Sequence, residues 1–239
     1  MQDTVSPPFP AFEVLQNQAT DEVGRAPYYL EGGCDVVFQI GTAKYGVRNQ
    51  GGLLDEARVR EIGAIPQIKM IELKLSQGAK PGKGGILPAV TVTPEIAKIR
   101  GIPVHLDSIS PNRHPEIDNV SDLLDSIDKL RTLSGKPVGF KSVIGAYGWL
   151  ESLCEEIHKR GVESAPDFIT VDSGDGGTGA APMALMDNVG LSIKEALPMV
   201  VDILCRHGLR ERIKVIASGK LITPAEVAWA FCAGADSVN

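Results

Sequence analysis

Long apolar runs are missing from this sequence: no stretch approaches the ~20 residues that a membrane-spanning helix needs. Cysteine is scarce and scattered. Cys34, Cys154, Cys205 and Cys232 form no Cys-x-x-Cys pair, which argues against a zinc ribbon or a thioredoxin-like centre. Cys154 and Cys205 fall in helical patterns and Cys232 near a helix end, which predicts buried free thiols. With no disulfide framework legible, the expected compartment is cytoplasmic. Positive charge is in deficit too. The 24 Lys and Arg against 30 Asp and Glu give a net charge of −6. No basic run with interleaved aromatics appears, so no nucleic-acid partner is expected. Residues 1–10 lack both the positive region and the apolar core of a secretory signal. Gly-x-Ser-x-Gly is absent, and no His/Asp/Glu spacing points to a metal.

Glycine is abundant and concentrated. One glycine-rich segment, Gln77-Gly78-Ala79-Lys80-Pro81-Gly82-Lys83-Gly84-Gly85, follows the apolar run Met70-Ile71-Glu72-Leu73-Lys74-Leu75-Ser76. A second, Asp172-Ser173-Gly174-Asp175-Gly176-Gly177-Thr178-Gly179-Ala180-Ala181, follows Phe168-Ile169-Thr170-Val171. Glycine runs let backbone N–H groups approach a ligand, since no Cβ stands in the way. At the C-terminal end of a strand they are where α/β proteins hold anionic ligands. Two such loops, each with a lysine or a carboxylate beside it, point to a phosphorylated cofactor.

Strands and helices alternate around them. Short apolar candidate strands lie at 36–40, 70–76, 138–142, 168–171, 214–217 and 236–238. A helical run follows Ser121, with Leu123, Leu124, Ile127 and Leu130 on one face, and stops at Gly135 and Pro137. A second helix is expected over 147–160, with Leu150, Leu153, Cys154 and Ile157 aligned. Ser192 with Glu195, and Thr223 with Glu226, read as capping boxes. Pro224 suits a first helical position, whereas Pro198 predicts a bend or a later start in the helix after Ser192. The segment 105–119, rich in Pro, Ser and His, reads as one long loop. Alternation of this kind predicts a parallel sheet with crossover helices, but by itself does not separate an open doubly wound sheet from a barrel.

The stretch Lys69–Arg100 and the stretch Asp167–Ala181 together resemble the FMN-binding domain of glutamate synthases, in particular short forms without the amidotransferase domain. The resemblance runs from Tyr29 to Asn239, leaving 1–28 as a polar lead-in. It implies a (β/α)8 TIM barrel of the FMN-linked oxidoreductase type. The six candidate strands match the family's third to eighth, so about six of eight are expected, in a barrel truncated at both ends. It implies a flavin-dependent oxidoreductase of nitrogen metabolism, acting in glutamate biosynthesis: reductive amination of 2-oxoglutarate to glutamate by reduced FMN. The partners are then a 2-oxo acid, ammonia and an electron-donor protein or subunit. Cysteines for the family's iron–sulfur centre do not occur in this chain. Two alternatives stay open: an FMN-dependent oxidase, dehydrogenase or isomerase acting on another small acid, and a non-catalytic barrel fragment completed by a partner polypeptide.

The resemblance also assigns residues. Lys141, on a strand, matches a lysine facing the flavin ring; the other reading is a lysine snorkelling from a strand end. Gln39, Gly41 and Thr42 match a segment at the flavin edge, though a strand running into a glycine turn would look the same. Gly176, Gly177, Thr178 and Gly179 would cradle cofactor or substrate, or simply make a tight turn. Ser218, Gly219 and Lys220, just before the capped helix, sit where barrels bind phosphate. Lys80 and Arg100 match the cations that hold the two carboxylates of 2-oxoglutarate, while Arg100 also reads as a cation at a helix C-terminus. The large enzymes carry Gln and Glu where this chain has Ile86 and Lys83, which puts 2-oxoglutarate itself in question. His114 reads as a solvated loop residue, and His158 and His207 as outward-facing helix residues.

Overall fold

A computed structural model of the chain describes residues 13–16, 35–76, 78–81, 84–175 and 181–239. In chain order its strands are β1 (Glu13–Gln16), β2 (Val36–Ile40), β3 (Ile68–Lys74), β4 (Ile86–Leu87), β5 (Ser108–Ile109), β6 (Val138–Val143), β7 (Phe168–Asp172), β8 (Lys214–Ser218) and β9 (Ser237–Val238). Its helices are α1 (Glu56–Gly63), α2 (Pro94–Arg100), α3 (Val120–Ser134), α4 (Gly148–Arg160), α5 (Ile193–Arg206) and α6 (Pro224–Cys232). Seven strands form one parallel sheet in the order β1-β2-β3-β6-β7-β8-β9. Each strand pairs with its neighbour in sequence, apart from the short antiparallel pair β4–β5. The order never reverses among the described residues. A doubly wound sheet has a switch point; this winding is that of a barrel opened along one seam.

All six expected strands are present. β1 is an addition: it lies inside the segment read as a polar lead-in and pairs parallel with β2, Glu13 opposite Val36 and Gln16 opposite Gln39. The long loop 105–119 also holds structure, since β5 folds back on β4.

Register separates the two faces of the sheet. Phe38, Ile71, Val138 and Ile40, Leu73, Phe140, Ile169, Val215 are partners across the strands and belong to one apolar core with the helices. α1 packs on α3, α3 on α4 and α4 on α5, so the helices line up along that face. Each buried Leu or Ile there contributes ~1.5–3 kcal/mol of transfer free energy. The other face carries Gln39, Glu72, Lys74, Lys141, Thr170, Asp172 and Ser218. This polar face is the barrel lumen.

Local signals set the helix ends. The first turn of α3 is capped by Asn119, whose side chain accepts from the Asp122 N–H at 3.1 Å, rather than by Ser121. Gly135 ends the helix in the left-handed region at φ 66°. Both capping boxes form. The first of them starts α5 at Ile193, so Pro198 lies inside the helix instead of delaying it. The buried stripe Ala196, Leu197, Val200, Ile203 and Leu204 holds α5 on the sheet despite the hydrogen bond that proline cannot make. The thiol expectation needs correction. Cys154 is buried, but Cys205 and Cys232 are exposed, because both fall off the apolar stripes of their helices. Cys34 lies outside the described residues.

Candidate functional site

The candidate site lies at the C-terminal ends of β2, β3, β6, β7 and β8. Deepest is a carboxylate, Glu72, 2% exposed. It accepts from Gln39 Nε2 and from Thr170 Oγ1, at 2.5 Å each. Its register partner on β6 is Gly139, and a Cβ there would stand 2.2 Å from the Phe168 carbonyl oxygen. With no side chain on Gly139, Glu72 reaches past β6 to Thr170 on β7.

Next toward the mouth come lysines. Lys74 and Lys141 are register partners on β3 and β6, and Lys141 pairs with Thr170 on β7. Lys141 is buried, with Nζ 3.8 Å from Asp172 Oδ1, so the strand lysine has the anionic partner its burial requires. Lys80 is buried in the loop after β3. A Cβ on Gly85 would stand 4.0 Å from its Nζ. Lys74 reports on the whole cluster. Burial, then the positive charges of Lys141 and Lys80, lower its pKa from 10.5 to about 8, with Asp172 and Glu72 pulling the other way. Among the described residues, Lys74 thus feels two further lysines and two carboxylates.

Backbone approach is tight around them. Gly78 N–H donates to Asp172 Oδ2 at 2.7 Å, and a Cβ on Gly78 would lie 1.6 Å from the Ser173 carbonyl oxygen. This contact clamps the first glycine loop onto the end of β7. Ser173 N–H donates to the Ser218 carbonyl at 2.9 Å, and the Ser173 hydroxyl accepts from the first N–H of α5 at 2.9 Å. Ser218, buried on the lumen face, is followed by Gly219 at φ +99° and Lys220 at φ +52°. Two successive positive φ values, one at a lysine, mark a strained turn of the sort that ligand sites retain.

The sequence-assigned residues divide. Gln39, Lys141 and Ser218 all lie on the lumen face. Gly41 and Thr42 follow β2, but the Thr42 hydroxyl is committed to the Pro111 carbonyl at 2.7 Å. Lys220 is exposed. Gly176, Gly177, Thr178 and Gly179, like Lys83, lie outside the described residues. Arg100 sits in the last turn of α2 with its guanidinium 4.9 Å from the centre of the Tyr45 ring, so it is seated on the loop after β2, while Lys80 belongs to the loop after β3.

Glu72, Lys74, Thr170 and Asp172 were not singled out from sequence. Their signal was available: a polar residue at every second position of an apolar strand. His114 departs from expectation. It is 1% exposed, with Nε2 3.1 Å from the Lys74 carbonyl oxygen, because the loop returns across the end of β3. His158 and His207 stack with ring centres 6.0 Å apart on the helix side, and His207 pairs with Glu151.

Residues 11–239 match the family model described as the conserved region in glutamate synthase. The chain belongs to the glutamate synthase family. Among its relatives, the glutamate synthase large subunit-like protein YerD of Bacillus subtilis is 44% identical over 92% of the chain. An archaeal-type glutamate synthase [NADPH] of Dehalococcoides mccartyi is 32% identical over 92%. The chain spans 41% of the length of each. Among solved structures, a flavocytochrome b2 variant with benzoylformate superimposes with a TM-score of 0.53 at 15% identity, covering 89% of this chain and 45% of that one. That likeness bears on the fold, an incomplete TIM barrel. No described helix is long and apolar enough to cross a membrane.

Proposed function

We propose that this glutamate synthase-family chain carries the FMN-binding half-site of an oxidoreductase that reductively aminates 2-oxoglutarate to glutamate. The observation that supports this most is the convergence of Lys74, Lys80 and Lys141 at one mouth of the sheet, beside backbone turns that admit only glycine. This donor set fits FMN. A phosphate and an electron-rich ring system are anions or become so, and Lys74, Lys80 and Lys141 bring positive charge to that mouth. Reduced FMN, when bound, supplies the hydride.

The chain's own residues supply the rest. Lys141, held by Asp172, places a positive charge where the flavin ring would gain negative charge. Ser218, Gly219 and Lys220, leading into the capped N-terminus of α6, would hold the phosphate. Gln39 would lie at the flavin edge, with Gly41 and the backbone of Thr42 beside it. Lys80 and Arg100 would bind the two carboxylates of the 2-oxo acid. Ammonia condenses with the ketone, water leaves, and hydride plus a proton complete the amine. Ammonia and electrons come from partner domains or subunits, in a cytoplasmic enzyme.

A second reading keeps FMN and changes the acid. Ile86, where large glutamate synthases carry glutamine, is 57% exposed on β4, close in sequence to Lys80. Without a side-chain amide at this position a second carboxylate loses a donor, which favours a monocarboxylate such as a small 2-hydroxy acid.

FMN titration of the whole protein, followed by flavin fluorescence, tests the common part. Saturable binding should weaken at least ~10-fold in Lys141→Ala, a loss of ~1.4 kcal/mol. Equal affinity in the variant, or no flavin binding at all, refutes it. Reoxidation of the reduced protein by 2-oxoglutarate plus ammonia, against a 2-hydroxy-acid panel with the oxidised protein, separates the two substrates.

A further inference from the structure

The arginine assigned to a substrate carboxylate rests on a buried aromatic ring. That ring, Tyr45, stands in the loop after β2, where two tight turns follow one another. The Lys44 N–H donates to the Gly41 carbonyl at 2.8 Å, and the Val47 N–H to the Lys44 carbonyl at 3.0 Å. Lys44 takes φ +55° at the join, and its buried ammonium is fastened to Glu116 at 3.0 Å. Tyr45 is left 7% exposed, and its hydroxyl is hydrogen-bonded to Ser108 on β5, also buried. β5 pairs with β4, which begins just after Gly85. A Cβ on Gly85 would stand 3.8 Å from Ser110 Oγ and 4.0 Å from Lys80 Nζ. One short hairpin thus joins the Tyr45 ring to the surroundings of Lys80.

Two guanidiniums share the ring. Arg100, in the last turn of α2, lies 4.9 Å from its centre, and Arg48 lies 5.7 Å from it. The Arg48 stem runs along the end of α2: a Cβ on Gly101, the left-handed residue that stops the helix, would be 4.0 Å from Arg48 Cγ. The two arginines differ in what they have left to give. Arg48 turns Nη1 to the Ala43 carbonyl at 3.5 Å and buries Nε. Arg100 is partly exposed, and among the described residues no hydrogen bond or ion pair takes its guanidinium. A planar fork of donors is therefore held over the electron-rich face of a ring with its donors unspent. A loose arginine loses rotamer freedom when it grips an anion; one already seated loses less.

We propose that Tyr45 is a positioning residue for the substrate carboxylate: its ring holds the Arg100 guanidinium through a cation–π contact, so that the donors are in place before the 2-oxo acid arrives. This rests on the reading of Arg100 as a substrate cation.

Calorimetric titration of the purified protein with 2-oxoglutarate, FMN present, tests the assignment. Tyr45→Phe keeps the ring and should bind with nearly wild-type affinity. Pentafluorophenylalanine at position 45 keeps the shape but inverts the charge of the ring face, and should weaken binding ~5-fold relative to Tyr45→Phe. Arg100→Gln should weaken binding at least ~10-fold and abolish the fluorine effect, because both changes remove one interaction. If Arg100→Gln binds like the wild type, or if no 2-oxoglutarate binds at all, the substrate reading of Arg100 fails and the proposal with it. If Arg100→Gln weakens binding but the fluorinated ring does not, or does so equally with and without Arg100, the proposal alone is overturned. A loss in Tyr45→Phe as large as that of the fluorinated ring assigns the effect to the Ser108 hydrogen bond and overturns it as well.

Discussion

Lys74 makes stability depend on pH between about 8 and 10.5. Its pKa falls from 10.5 in the unfolded chain to about 8 in the fold, through burial and the neighbouring Lys141. Below pH ~8 the lysine is protonated in both states and contributes no slope. Between ~8 and ~10.5 the unfolded chain holds the proton and the folded chain has released it. The unfolded state binds more protons there, so stability rises with pH. The shift of about 2.5 pH units, at ~1.36 kcal/mol each, gives a ceiling of about 3 kcal/mol. Urea denaturation of the wild type and of Lys74→Met, followed by tryptophan fluorescence across that range, isolates the contribution. The wild-type stability minus that of the variant should climb by up to about 3 kcal/mol from pH 8 to pH 10.5. A flat difference would refute the burial and the lysine cluster together. The same linkage bears on function. An anion bound in the lumen raises the Lys74 pKa, so flavin binding near pH 8–9 should take up protons, measurable by calorimetry in buffers of different ionisation enthalpy.

Gly139→Ala puts a methyl 2.2 Å from the Phe168 carbonyl, and should cost ~1–3 kcal/mol by overpacking, read as a lower urea midpoint at unchanged slope. Asp167→Ala removes the acceptor shared by Arg131, Arg212 and the Val138 N–H at the other end of the sheet, and should cost ~3 kcal/mol or more; a loss under ~0.5 kcal/mol would mean solvent replaces all three. Thiol reagents should label Cys205 and Cys232 rapidly in the native protein. Cys154, its pKa pushed up to about 11 by burial and by Glu151, should react only on unfolding.

Much of this architecture was legible as local pattern. Short apolar runs bounded by glycine or charge marked six strands, and Ser192, Thr223 and Gly135 marked helix ends, because cap chemistry and period are carried by contiguous residues. Lys141 announced itself as a charge inside a strand. Where sequence reading fell short, the contacts were distant. β1 has four residues and little apolar signal, and only its pairing with β2 defines it. His114 looks like a loop residue until the loop is seen crossing β3. Cys205 follows Leu204, one position off a stripe whose spacing already excluded it from the core.

The sequence by itself determined the alternation of strand and helix, the glycine loops after two strands, and the type of chemistry their lysines favour. Tertiary structure alone decided which polar residues meet. Glu72 and Thr170 are 98 positions apart, and Gly78 and Asp172 are 94 apart. Nothing local fixes such distances. Strand register does, because shifting β3 by a single residue would move Glu72 and Lys74 from the lumen into the helix-covered core, and the same shift in β6 would move Lys141 there, where unpaired charge is too costly to remain.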